Sequence, residues 1–132
     1  ELLIPLIKVR STKGKVETKS AEISVLGDLS LFTSLEIGLE VLQNQPVSDE
    51  VKEAVYKIYF VEEVDNRDIK ISNEEILMAN SRKDSSAERI SKLKFKLRDQ
   101  NYNRDKQYYL IVKDSDKDFE IQRKRVILDI IN

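Results

Sequence analysis

The feature that most constrains the fold is a period-two alternation of apolar and polar residues that recurs along the chain. Over residues 35–41, for example, Leu, Ile and Val alternate with Glu and Gly. Successive side chains of a β-strand point to opposite faces of the sheet, so this pattern predicts strands with one buried and one polar face. It predicts strands at about residues 2–10, 15–26, 34–43, 54–62, 69–72, 89–98, 107–114 and 119–131.

Eight strands with little helical pattern predict an all-β fold. Turn-forming residues separate most of the strands, as at Gly27-Asp28 and Asn44-Gln45-Pro46. We expect an antiparallel two-sheet sandwich of the immunoglobulin or fibronectin type, with a closed barrel as the alternative. A length of 132 residues suits one domain, which we place at residues 1–132.

Three further local features of the sequence lead to predictions. Residues 81–87 form the most polar stretch and are expected to be a mobile loop. Residues 73–80 fit either a short helix or a strand. Tyr102 or Tyr108 could occupy the position of a corner tyrosine at a sheet edge.

The composition excludes several chemistries, because the chain has no His and no Cys. Catalytic triads that need an imidazole, zinc sites built from Cys or His, and thiol redox chemistry cannot arise within it. Oxygen-only sites for hard cations stay allowed. We expect a non-catalytic chain with no cofactor and no metal.

One acidic segment resembles the start of a calcium-binding loop. Residues 114–120 read Asp-Ser-Asp-Lys-Asp-Phe-Glu, with acids on alternate positions. The glycine that such loops require is replaced by Phe119, and the acid of the twelfth position falls on Arg125. These two departures favour a hairpin turn between the last two strands over a metal site.

Charge is distributed unevenly behind a net charge of -1. Residues 1–81 contain 9 Lys or Arg and 15 Asp or Glu, whereas residues 82–132 contain 14 Lys or Arg and 9 Asp or Glu. If the last strands are neighbours, their basic residues could form one face that meets phosphates or an acidic protein surface. The alternative is a solvated face or an edge guarded by lysines. The candidate interaction face comprises Lys92, Lys94, Lys96, Arg98, Arg123, Lys124 and Arg125.

The first residues carry no signal for a membrane. The apolar run Leu2-Leu3-Ile4-Pro5-Leu6-Ile7 is too short for a membrane helix and lacks the basic start of a signal peptide. We therefore expect no membrane partner. Because Glu1 leads directly into this run, we expect the chain to be a piece of a longer protein.

Four strand motifs follow one another in a fixed order along the chain. The first, at residues 34–49, reads Ser-Leu-Glu-Ile-Gly-Leu-Glu-Val-Leu-Gln-Asn-Gln-Pro-Val-Ser-Asp. The others are Tyr-Lys-Ile-Tyr-Phe at 56–60, Leu-Lys-Phe-Lys-Leu at 93–97 and Tyr-Tyr-Leu-Ile-Val-Lys-Asp at 108–114. In this order the motifs resemble the C-terminal region of the PglZ family, the alkaline-phosphatase-superfamily proteins of BREX phage-defence systems, and the resemblance covers residues 35–129.

The resemblance implies that catalysis belongs to a separate domain. In that family the metal-binding Asp and His residues and the nucleophile lie in the preceding domain, so the resemblance places none of them on this chain, which has no His. The longer protein is expected to be a metal-dependent phosphatase or phosphodiesterase-like enzyme of the bacterial cytoplasm. Expected partners of this C-terminal piece are the catalytic domain of the same polypeptide and other BREX subunits, such as the DNA methyltransferase.

Two other functions stay open from the sequence. The basic face could contact nucleic acid, although single-strand binders usually interleave aromatic residues with the basic groove, and Phe95 alternates onto the opposite face from the lysines. The chain could also be a structural or adhesion-type sandwich that acts as a spacer.

Overall fold

The computed structural model describes residues 18–131, and the elements in this range are almost all strands. The predicted strand at 2–10 and the first residues of the one at 15–26 lie outside it. The described strands are β1 (Lys19–Ser20), β2 (Ile23–Leu26), β3 (Glu36–Gln43), β4 (Val51–Lys52), β5 (Ala54–Val64), β6 (Arg67–Lys70), β7 (Glu75–Ala79), β8 (Ile90–Lys96), β9 (Tyr108–Asp114) and β10 (Phe119–Val126). A single turn of 3₁₀ helix spans Ser86–Arg89.

The strands form two main antiparallel sheets, which confirms the predicted all-β sandwich. One sheet has the order β10-β9-β5-β6, with β7 beside β6 on the same edge of β5. The other has the order β2-β3-β8. The short strands β1 and β4 add a parallel pair that the sequence did not predict. Within residues 18–131 the two sheets keep separate ladders, so the sandwich forms and the closed barrel does not.

The core lies between the sheets and is built from the apolar positions of the alternation. Phe60 of β5 is at its centre, with no side-chain exposure. The centroid of its ring lies 5.3 Å from that of Phe95 on β8 and 6.1 Å from that of Phe32, and both contacts are edge to face. Edge-to-face contacts place the positive ring edge against the negative face, which adds to the gain from burial. The Phe60–Phe95 contact thus joins the two sheets across the core, and Phe32 packs against Phe60 from the segment between β2 and β3.

The outer face of the five-stranded sheet is also partly buried. Val61 of β5 and Ile111 of β9 are each 1% exposed, although both point away from the main core. The half-buried rings of Tyr59 and Tyr109 lie on neighbouring strands. Cations cover these rings, as the Lys70 ammonium lies 4.8 Å from the centroid of Tyr59. Strands β5 and β9 are therefore central strands buried on both sides.

The two sheets are joined at one side, where the chain passes from β6 to β7. The Ser72 hydroxyl accepts the N–H of Phe60 on β5 at 2.9 Å. Ser72 also forms an isolated antiparallel bridge with Leu97, just after β8. This interruption divides what would otherwise be one long partner of β5 into β6 and β7. Residues 75–79, whose sequence fits either a short helix or a strand, therefore form a strand.

Two buried polar side chains fix the loops at one end of the sandwich. The Gln43 amide donates to the carbonyls of Gln45 and Ser81 at 2.8 and 2.9 Å. Its oxygen accepts the Ser81 N–H at 3.0 Å. The Arg89 guanidinium donates to the carbonyls of residues 43, 44, 83 and 84. In the polar segment 81–87, expected to be a mobile loop, these hydrogen bonds therefore hold the first part, at Ser81, Lys83 and Asp84.

Both candidate corner tyrosines hydrogen-bond to the backbone a few residues upstream. The Tyr102 hydroxyl donates to the Arg98 carbonyl at 2.8 Å, and the Tyr108 hydroxyl accepts the Asn103 N–H at 3.0 Å. The centroids of the two rings are 5.6 Å apart. Burial disfavours the phenolate and raises the pKa of Tyr102 to about 12 from 10.0. It also raises the pKa of Tyr108.

The raised pKa of Tyr102 predicts a loss of stability in alkali. Between pH 10 and about 12 the native state holds a proton that the unfolded state has released, so the free energy of unfolding falls as pH rises through this window. Tyr102→Phe should lower stability at neutral pH by about 1 kcal/mol, the worth of a buried hydrogen bond, and make the alkaline decline shallower. Urea unfolding at a series of pH values measures both effects. An equally steep decline in the variant would contradict the assignment.

Candidate interaction surface

Three of the predicted basic residues share the outer face of β8. Lys92, Lys94 and Lys96 are exposed, whereas Leu93 and Phe95 between them are buried in the core. This placement follows from the alternation of side chains along a strand. We call Lys92, Lys94 and Lys96 the lysine row.

The lysine row lies beside acidic residues of the neighbouring strand β3. Glu40 is the cross-strand partner of Lys92, and Glu36 is the partner of Lys96. Directly opposed Cβ atoms in an antiparallel pair lie about 5 Å apart, so these opposite charges partly offset one another. The face therefore alternates in sign and is not uniformly basic. The sequence pattern shows both strands but does not give their register, so this pairing could not be predicted.

Lys94 differs from its neighbours because its cross-strand partner is Gly38. A Cβ added to Gly38 would meet nothing within 4 Å, so the face is open at this point. A shallow pocket of about 550 Å³ lies here, with Glu36, Lys94 and Lys96 among its lining residues. Within residues 18–131 no ion pair joins any residue of the lysine row to a carboxylate within 4.0 Å. Lys94 is therefore the most available cation of the row.

The edge of β8 that faces away from β3 is capped beside this pocket by Asn73. Its side-chain oxygen accepts the Lys96 N–H at 2.7 Å, and its amide donates to the Lys94 carbonyl at 3.3 Å. The same amide donates to Glu75 at 2.7 Å. The carboxamide thus occupies the hydrogen-bonding groups that an added strand would use. A partner of the lysine row would therefore meet side chains and not this part of the strand edge.

Arg98 does not extend the lysine row. Strand β8 ends at Lys96, since Leu97 bridges to Ser72 at the junction between the sheets. The Arg98 N–H donates to the Ile71 carbonyl at 2.8 Å. Its guanidinium donates to the Lys70 carbonyl at 3.1 Å. Arg98 is therefore part of the connection between the sheets.

The basic residues of β10 lie on the other sheet, because β8 and β10 belong to different ladders. Arg123 forms ion pairs with Asp68 and Glu120, and its guanidinium carbon lies 4.9 Å from the centroid of the Tyr109 ring. The hydrogen bonds to these two carboxylates raise the pKa of Arg123. Arg123 is thus held by internal contacts, and the seven predicted residues do not form one continuous patch.

The acidic segment at residues 114–118 forms the turn of the hairpin between β9 and β10. One Asp114 carboxylate oxygen accepts the N–H groups of Asp116 and Lys117, each at 2.9 Å. Asp118 adopts a positive φ of 55° and pairs with Lys113 at 3.1 Å. The hairpin interpretation is therefore confirmed. In the described part of the chain, no group of three or more acids is arranged to hold a metal ion.

No helix among residues 18–131 has both the length and the apolar character needed to cross a bilayer.

The comparison with known proteins gives one informative relative. The chain is 29% identical over 133 residues to the alkaline phosphatase-like protein PglZ of Bacillus cereus (strain H3081.97). The alignment covers 98% of this chain but 15% of the relative, so the chain spans a small part of that protein's length. No family model matches the chain. The similarity extends beyond the motifs noted in the sequence, and the chain is therefore related to PglZ, as its strand pattern predicted.

Proposed function

We propose that this chain is the C-terminal accessory domain of a PglZ-type BREX phage-defence protein, and that it binds protein partners without taking part in hydrolysis. The observation that carries the proposal is the match of nearly the whole chain to about 15% of an alkaline phosphatase-like protein. A chain without His cannot supply an imidazole to a metal site or to acid-base chemistry. On this proposal the metal-dependent chemistry belongs to another domain of a cytoplasmic bacterial enzyme.

The lysine row is the surface that we assign to partner binding. Its cations alternate with Glu36 and Glu40, and Gly38 leaves an opening beside Lys94. A polyanion such as DNA is favoured by a continuous positive surface, whereas a mixed surface favours a protein with matching charges of both signs. Phe95 is buried beneath the row and offers no ring for base stacking. These features support a protein partner, either the catalytic domain of the same polypeptide or another BREX subunit.

Charge reversal of the lysine row tests this assignment. The triple variant Lys92→Glu, Lys94→Glu, Lys96→Glu should weaken binding to the catalytic domain or the BREX DNA methyltransferase by about tenfold or more, because it places like charges against those acidic side chains of the partner that face the lysines. Isothermal titration with each purified partner measures the affinity. A triple Lys→Gln variant removes the charge without adding repulsion against Glu36 and Glu40, and should give a smaller loss in the same direction.

The matched control reverses three exposed lysines elsewhere, Lys52→Glu, Lys83→Glu and Lys117→Glu, for the same change of net charge. It should bind like the unmodified chain. Equal losses in both triple variants would show that net charge and not the lysine row determines binding. Retention of the chain on DNA with a steep dependence on salt would instead favour a nucleic-acid partner.

A further inference from the structure

Among the described strands, β10 is an edge strand, and part of its backbone has no partner there. In residues 18–131 its ladder partner is β9, on one side. Just after β10, the Ile127 carbonyl and the Asp129 N–H bond to Phe32 on the opposite side, at 2.9 and 3.1 Å. Alternate residues of a strand direct their backbone groups to the same edge. The N–H and C=O groups of Arg123 and Arg125 therefore point to that outer edge, where no described strand pairs with them.

The side chains along this edge combine apolar and basic character. Phe119 and Ile121, which are 51% and 43% exposed, occupy the first half of β10. Lys124 and Arg125 occupy the second half and are also exposed. Neither forms an ion pair with a carboxylate within the described residues, and the Arg125 guanidinium donates only to the Lys106 carbonyl at 3.3 Å. The edge thus leaves two cations next to two exposed apolar side chains.

A groove runs beside this edge, between β10 and β2 of the other sheet. Its volume is about 280 Å³, and Ile23, Tyr56 and Ile121 line it together with polar residues. The Gln122 amide reaches across to the Ile23 carbonyl through a long hydrogen bond of 3.4 Å. On the opposite side of the sandwich, Ser72 and Asn73 close the approach between the sheets. Among residues 18–131, the β10 side is therefore the more open of the two.

We propose that the outer edge of β10 binds an extended peptide segment, rich in acidic and apolar residues, as an added strand. The backbone groups of Arg123 and Arg125, with which no described strand pairs, would supply the hydrogen bonds. Arg125 lies on the outer face of the sheet, because its neighbour Val126 is buried in the core, and its cation would select for acidic side chains on that face of the added strand. An apolar side chain of the added strand would enter the groove beside Ile121. This inference rests on the proposed function as a binding domain, and it names a second surface and the kind of segment that this surface accepts.

Amide hydrogen exchange tests the inference on the unmodified chain. The probe is a short synthetic peptide in which valine and glutamate alternate, and the control peptide has lysine in place of glutamate. At saturating Val/Glu peptide, exchange at the Arg123 and Arg125 amides should slow by about tenfold or more, because they gain hydrogen bonds. The amides of Gln122 and Lys124, which face β9, should change little. No protection at Arg123 and Arg125, or equal protection by the lysine peptide, would overturn the inference.

A pair of substitutions at one position separates backbone pairing from charge. Arg125→Ala removes the cation and keeps the N–H, whereas Arg125→Pro removes both at an edge position where proline is tolerated. The proline variant should lose about tenfold more affinity for the Val/Glu peptide than the alanine variant, and equal losses would contradict strand addition. If the proline variant does not fold, the exchange measurement decides. The charge reversal at Lys92, Lys94 and Lys96 should leave peptide binding at β10 unchanged. Loss of peptide binding therefore tests the β10 edge, and loss of partner binding tests the lysine row.

Discussion

Arg89→Met should lower the free energy of unfolding by about 3 kcal/mol, one of the two largest effects that we expect from a single substitution. Arg89 is 9% exposed and donates from its Nε and Nη1 atoms to three backbone carbonyls at 2.7–2.9 Å. Its Nη2 reaches a fourth carbonyl at 3.2 Å. Each hydrogen bond to a charged group contributes about 1.5–3 kcal/mol, but carbonyls of surface loops recover part of that loss by binding water.

Two controls make the Arg89 experiment specific. Arg82→Met changes an exposed arginine in the same loop and should alter stability by less than about 0.5 kcal/mol. Arg89→Lys keeps the charge but not the planar fork of donors, so it should recover only part of the loss. Urea denaturation of the three variants measures the differences. A loss below about 1 kcal/mol for Arg89→Met would show that the loops at residues 43–47 and 81–84 hold together without the guanidinium.

Phe60→Ala should destabilise the chain by about 4 kcal/mol, because it removes a fully buried ring and leaves a cavity that the surrounding strands cannot close. The ring also contacts Phe32 and Phe95 edge to face, so these contacts are lost as well. Phe60→Leu keeps most of the volume and should cost about 1–1.5 kcal/mol.

The matched control for Phe60 is Phe119→Ala, which truncates a phenylalanine that is 51% exposed. It should change stability by less than about 0.5 kcal/mol. Thermal unfolding followed by circular dichroism compares the three variants. Similar effects at positions 60 and 119 would contradict the assignment of Phe60 to the centre of the core.

The alternation of side chains was sufficient to predict the sandwich and most of its strands, because a strand that buries one face has apolar residues at alternate positions. It was not sufficient for contacts made across strands. Val61 and Ile111 lie on the outer face and are nevertheless buried, since Tyr59, Tyr109 and a cation cover that face. No local pattern distinguishes this arrangement from an exposed strand face.

The candidate site shows the same division between local and long-range information. The positions of Lys92, Lys94 and Lys96 on one face follow from their spacing and could be predicted. Their acidic neighbours Glu36 and Glu40 depend on the register of β3 against β8, which lies some 50–60 residues apart in sequence. The separation of Arg123–Arg125 from the lysine row depends on sheet order, which alternation does not encode.

Lysine labelling is the most direct measurement of the central claim, that the outer face of β8 binds a partner protein. An amine-reactive reagent is applied to the isolated chain and to the longer PglZ-type protein proposed to contain it, alone and with the BREX DNA methyltransferase, and modification is quantified by mass spectrometry. We predict that Lys92, Lys94 and Lys96 lose several-fold in reactivity in at least one of the two larger states, while Lys52, Lys83 and Lys117 react equally in all three. Equal reactivity of the lysine row in every state would contradict the claim.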